Sequence, residues 1–209
     1  MRKRDVLNLV CEHVGGMVQG HDFRLNRKEQ CFIRTISGGN QAVGIPLYDY
    51  NPEFIVSLAM TIRLNIVEDI FNLFSGTAPE YHPSGTTAIT QLSYFTRGQP
   101  SEYKVVTEQD IVKVMETLAP IIREQIIPFL DRHQDVTALE AAVNRTKPSI
   151  DGTQLLARAM HAVILARLVG NNDFERLVAH YQNEMRFFVE TEQEKFTKLV
   201  AYLREQVPS

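Results

Sequence analysis

Two cysteines, Cys11 and Cys31, are all the thiol this 209-residue chain carries. They are too few and too isolated for a disulfide framework or a cysteine-based zinc site, and both read as reduced. No apolar run approaches the roughly 18 uninterrupted residues that a membrane-spanning helix needs. An excess of charge of one sign is also missing: the formal net charge is -3, which argues against a polyanion partner. Phosphate-cradling loops are absent, because Gly38-Gly39 is followed by neither Lys-Ser nor Lys-Thr and opens no dinucleotide fingerprint. The basic opening Met1-Arg2-Lys3-Arg4 leads into apolar residues broken by Asn8, Glu12 and His13, unlike a secretory signal, so a cytoplasmic location is expected.

What is there suits an ordinary globular protein, with 44% hydrophobic and 22% charged residues. The pattern divides into a sheet-rich half, 1–106, and a helical half, 107–209. Val6, Val10, Val14, Met17 and Val18 recur at helical spacing and predict a helix over 3–19. Residues 23–25 and 31–36 flank a polar turn as a hairpin, Gly38-Gly39-Asn40 supplies positive φ cheaply, and 42–47 makes a third strand. Over 54–64 the alternation of Phe54, Val56, Leu58, Met60, Ile62 and Leu64 has period two and predicts one long strand covered on one side. Asn65, with Glu68 three residues on, reads as the cap of a helix at 66–75 that Gly76 closes. A loop at 77–87 and strands at 89–95 and 103–106 complete this half.

Thr107 with Asp110 opens a helix that turns Ile111, Val114, Met115, Leu118 and Ile122 inward, with a kink expected at Pro120 and an interruption at Pro128. A helix at 135–144, a linker at 145–148, a buried helix at 152–169, the turn Gly170-Asn171-Asn172 and a helical tract over 173–206, bending near 190–194, follow. The expected fold is α+β: an antiparallel meander of about five strands packed by helices, then a helical half containing an αα-hairpin, in a single domain over 1–209.

No cluster of reactive side chains has the spacing that catalysis requires. His161 and His180 stand nearly equidistant from the turn at Gly170, and Glu184 lies one turn beyond His180; a metal-assisted hydrolase built on these three is one alternative reading. However, His180 points about 120° from the stripe of Phe174, Val178, Tyr181 and Met185 at 3.6 residues per turn. No metal, cofactor or catalytic residue is therefore expected. Cys11, Glu12 and His13 are consecutive, and consecutive helix positions face different ways. Asp131, Arg132, His133 and Asp135 read as capping and surface solvation. Arg24, Arg27, Lys28 and Arg34 make the first hairpin basic, which gives nucleic-acid binding as a second alternative, although the broader footprint and stacking aromatics of such proteins are missing.

Two tyrosine-bearing connections carry more. Tyr48, Asp49 and Tyr50 lie in the segment from Leu47 to Glu53, and Tyr81 and His82 lie at the tip of the longest loop. Exposed tyrosines on a rigid scaffold are good anchors for a protein partner. The long final helices can also pair between chains, which adds a homodimer to the expected partner arrangements.

The order of a first helix, "HDFRLNRKEQCFIRT", a strand "EFIVSLAMTIRL" running into a short helix, and "YKVVTEQDIVKVMETLAPIIREQIIPFL" resembles bacterial cytosolic proteins classed as domains of unknown function, over roughly residues 1–140. Some proteins of that kind lie beside toxin genes and are suspected immunity or accessory factors. The resemblance implies a non-catalytic protein-binding module, an immunity factor or adaptor, and brings no functional residue with it.

Overall fold

Helix α1, Lys3–Val18, forms where the apolar spacing places it and buries Val6, Val10, Cys11, Val14, Met17 and Val18. The computed structural model describes residues 1–145 and 154–206. Strands β1 (Arg24–Asn26), β2 (Cys31–Ile36), β3 (Gly39–Gly44), β4 (Leu47–Tyr50), β5 (Glu53–Val56) and β6 (Ala59–Leu64) follow α1; then come helix α2 (Asn65–Ser75), a 3-10 turn at Pro79–Ser84, β7 (Ala88–Gln91), the single turn α3 (Ser93–Thr96) and β8 (Tyr103–Val105). The fold is α+β: a five-stranded antiparallel sheet in the order β1-β2-β3-β6-β7 is packed by helices and followed by a helical C-terminal region. A second, three-stranded sheet has the order β4-β5-β8.

The expected long strand over 54–64 is two strands in two sheets. Its alternation is sound, since Phe54, Val56, Leu58, Met60, Ile62 and Leu64 are all buried. The ladder breaks at Ser57-Leu58, where the Ser57 N–H donates to Pro46 O, the Ser57 hydroxyl donates to Ser101 O, and Leu58 O accepts from Leu92 N–H. Period two reports which face is covered, not which neighbour supplies the hydrogen bonds. Similarly, 47–53 is not a loop: Leu47↔Val56 through Tyr50↔Glu53 pair as an antiparallel hairpin, and β8 adds through Phe54↔Val105 to Val56↔Tyr103. The strand expected at 89–95 ends at Gln91 and turns into α3.

The chain divides into two compact units, one of Met1–Ile36, Asn40–Ile62 and Thr90–Arg132, the other of Ser37–Gly39, Arg63–Ile89 and His133–Ser209. In the first, α1 packs on helix α4, Glu108–Ile121, whose Ile111, Val114, Met115 and Leu118 are buried. Thr107 and Asp110 form the reciprocal cap read from the sequence, with the Thr107 hydroxyl oxygen accepting from Asp110 N–H and the Asp110 carboxylate accepting from Thr107 N–H. The helix does not stop at Pro120. It passes into a π-helical turn, Ile122–Ile126, where Ile127 N–H reaches back to Ile122 O, and continues as α5, Ile127–Arg132, through Pro128. The five-residue register at this turn changes which carbonyls are left without donors, so a proline here does not end the helix as it would in an uninterrupted one.

The second unit contains α2, α6 (Val136–Glu140), a π-helical turn at Ala141–Arg145, α7 (Leu155–Leu168), α8 (Phe174–Met185) and α9 (Glu190–Gln206). Of the expected linker at 145–148 and helix at 152–169, residues 146–148 and 152–153 lie outside the described residues. The final tract breaks at 186–189, slightly before the expected bend, and leaves Phe187 and Val189 exposed. Phe196, Leu199, Val200 and Leu203 of α9 are buried, and α9 packs on α2 and α7.

Gly38 has φ +80, as its place in the turn requires, whereas Gly39 is needed for another reason: a Cβ there would overlap the carbonyl of Arg63. Gly39→Ala is expected to lower stability by about 2 kcal/mol through overpacking against backbone, measured as a shift in urea midpoint at constant slope. Thr107→Ala should cost about 1 kcal/mol through loss of the cap in the same assay.

Candidate functional site

Burying a carboxylate without partners is costly enough that a buried glutamate always has a local explanation. Glu68, on α2, is completely buried. Its Oε1 accepts the Thr87 hydroxyl at 2.9 Å and lies 3.1 Å from His161 Nε2, while Oε2 lies 3.7 Å from Arg63 Nη1. Thr87 Oγ1 in turn accepts the backbone N–H of Leu64 at 3.0 Å. His161, on α7, is buried and its ring stacks on Phe71 of α2 with centroids 4.3 Å apart. Burial alone would raise the Glu68 carboxyl. The hydrogen bond and charge of His161, the Thr87 hydroxyl and the Arg63 guanidinium outweigh that effect and hold it below the ordinary glutamate range.

Arg63 completes the arrangement. Its Nε donates to Asn65 Oδ1 at 3.0 Å, and its Nη1 donates to the carbonyls of His82 and Gly85, both at 2.8 Å. The expected cap is thereby corrected: Asn65 lies inside the helix and makes no cap hydrogen bond, because its side chain serves Arg63, and Glu68 turns inward instead of back to the helix start. Gly85 is also closely fitted, since a Cβ there would overlap Glu68 Oε2.

Above Arg63 lies an open cleft of about 570 Å³. Asn65, Asp69, Asn72 and Leu73 form one wall, spaced so that they share a face of α2; His82 and Pro83 of the 3-10 turn form the other. His82 Nε2–H donates to Thr77 O at 2.9 Å.

The residues expected to bind a partner are placed in two separate settings. Tyr48 and Tyr50 have the same parity on β4, an edge strand, and are 50% and 67% exposed. Cross-strand pairing puts Ile55, opposite Tyr48, and Glu53, opposite Tyr50, on the same outward face, with Lys104 beside Ile55 and ion-paired to Glu53. Asp49 is exposed and its carboxylate accepts Asn51 N–H at 3.1 Å, which shapes the hairpin turn. Tyr81 is 61% exposed and His82 is half-buried, both in the 3-10 turn.

The proposed metal trio separates. His161 pairs with Glu68 in the interior, while His180 is exposed and reaches Glu184 at 3.5 Å along its own helix, with Arg158 also 3.8 Å from that carboxylate. Equal distance from a turn does not bring the two histidines to one site. Among the described residues no group of three or more His, Cys, Asp or Glu side chains could hold a metal ion. No helix there is long and apolar enough to cross a membrane.

The basic hairpin is also partly spent on structure. Arg34 is buried, donates to Gln41 Oε1 from Nε and Nη2 at 2.9 and 2.7 Å, pairs with Asp131 at 2.7 Å and lies over the Phe23 ring. Gln41 Nε2 donates to Leu130 O, so this network holds β2, β3 and the end of α5 together. Arg27 donates to Asn8 Oδ1. Asp135 caps α6 by accepting Ala138 N–H, as read from the sequence, while Asp131 has the structural duty of neutralising Arg34. Cys11 and Cys31 are free and buried, and burial raises both thiols.

Glu68→Gln is expected to destabilise the protein by about 3 kcal/mol at neutral pH, because it strands buried partners of a charge pair. Since the folded carboxyl is held below its unfolded value, the stabilisation it brings is fully present above the unfolded glutamate pKa and is lost as pH falls through the folded value. Urea unfolding of both proteins across the acid range should show the gap closing toward low pH. No protein-family model matches the chain, and no curated protein and no solved structure matches it either.

Proposed function

We propose that this protein is a non-catalytic protein-binding module that engages its partner through the outward face of the three-stranded sheet. One observation carries the reading: Tyr48 and Tyr50 share one face of an edge strand and both are exposed to solvent. A rigid tyrosine loses little side-chain entropy on binding and buries a large apolar face while its hydroxyl remains available for a hydrogen bond. Ile55 on the middle strand adds apolar surface, and Glu53 and Lys104 supply a charged rim. Interfaces with an aromatic centre and a polar rim have this composition.

An immunity or adaptor role is the finer version of the proposal. Its support is the resemblance of roughly the first 140 residues to bacterial cytosolic proteins, some of which lie beside toxin genes. Tyr81 and His82 are a second candidate contact, to be tested separately.

The double substitution Tyr48→Ala, Tyr50→Ala should leave unfolding within about 0.5 kcal/mol of wild type, since both rings are exposed. Affinity capture from the native host should recover a stoichiometric partner with the wild-type protein, and the double variant should weaken that complex by about 30-fold or more, the scale of a two-residue hot spot. Recovery of the protein alone, or equal binding by the variant, would remove the proposal. Tyr81→Ala, measured against the same partner, decides whether the 3-10 turn contributes.

A further inference from the structure

The geometry points to the cleft above Arg63 as a binding site for a small zwitterion of the amino-acid or dipeptide class. Arginine carries five N–H donors in a fixed fork. In Arg63 the Nε–H is taken by Asn65 and the two Nη1–H by the carbonyls of His82 and Gly85, while Nη2 donates to no group among the described residues. Arg63 lines the cleft, and its Nη2 is not among the buried polar atoms that lack a partner, so this edge meets the open space. Four contacts, counting the pair with Glu68, hold the side chain so that the unspent edge is presented without further ordering.

The rest of the lining narrows the ligand. Asp69 is exposed on the opposing helix face and is ready to receive a cation. Asn65 has spent its carbonyl oxygen on Arg63 and keeps its amide N–H₂ free, and Asn72 has both amide functions free. His82 donates through Nε2 to Thr77, so Nδ1 is the ring nitrogen that this bond leaves unspent. Leu73 and Pro83 supply apolar contact.

Electrostatics argues against a phosphate-like dianion. Buried Glu68 already faces the Arg63 guanidinium from the interior, and Asp69 adds a negative charge at the rim. A monoanionic carboxylate accompanied by its own ammonium leaves the local charge unchanged and satisfies both ends. The volume, about 570 Å³, is in the range of small-molecule sites.

Nuclear magnetic resonance of the ¹⁵N-labelled full chain tests this, with the twenty common amino acids and glycyl-leucine as probes. At least one probe should produce saturable shifts at millimolar concentration or below, centred on Arg63 Nε, the Asn65 and Asn72 side-chain amides and the backbone of residues 82–85. N-acetylation of that probe should weaken binding about tenfold in the wild-type protein. Asp69→Asn, an exposed change whose folding the same spectrum checks, should weaken the free-amine probe by a similar factor and bind the acetylated and free forms equally. Three outcomes would overturn the proposal: no saturable shift with any probe, equal affinity of the wild type for acetylated and free forms, or tighter binding of inorganic phosphate at the same groups.

Discussion

The Glu68 carboxylate lies where water does not reach it, and much of the second unit is arranged around keeping it charged. A carboxylate so placed needs cationic or hydrogen-bonding partners from several directions. They come from three places in the chain: Arg63 at the end of β6, Thr87 just before β7 and His161 in the middle of α7. The link is reciprocal, because the guanidinium that faces Glu68 also ties down the His82 and Gly85 carbonyls, and the hydroxyl that donates to it also receives Leu64 N–H. The segment from 77 to 87 is thus fixed to α2 by polar bonds, with little apolar burial of its own: none of the residues Pro79–Ser84 is buried. The price of such an arrangement is sensitivity to acid.

The first unit solves the same problem in a different way. Arg34 is buried beside Gln41 and Asp131, but Asp131 is partly exposed and the network closes on a backbone carbonyl at Leu130. Solvent shares the cost of that pair, whereas Glu68 and His161 have only protein around them. Buried ion pairs give modest net stability but are intolerant of losing one member. Both networks therefore act more as specifications of strand and helix placement than as sources of stabilisation.

Much of the architecture was legible in the sequence because it depends on local chemistry. The Thr107–Asp110 cap, the left-handed Gly76, the hairpin of β1 and β2 and the inward faces of α1 and α4 follow from spacing and turn residues. The break at Ser57 was not legible, because alternation is identical whether Phe54 and Met60 belong to one sheet or two. Glu68 was missed for a related reason: Asn65-x-x-Glu68 matches a capping pattern, and the local reading satisfied the carboxylate before any distant partner was considered. A signal was present. Glu68 falls between Val67 and Phe71 on the apolar side of α2, and His161 is the one ionisable side chain amid Ala159, Met160, Ala162, Val163 and Ile164. Two polar groups on two apolar faces are each other's natural partners. The tyrosines at 48 and 50 stand out in the sequence, yet their common outward face is visible only once the segment is known to be a strand.

The account's central claim is that Glu68 is ionised in the interior and fastens the 77–87 segment. Carbon-13 titration of the Glu68 side-chain carboxyl, followed together with the Gly85 and Thr87 amides, tests it most directly. The account predicts a carboxyl that stays ionised below the ordinary glutamate range, with both amides moving in step when it finally protonates. A carboxyl that titrates at or above the ordinary range, or amides indifferent to its titration, would contradict it.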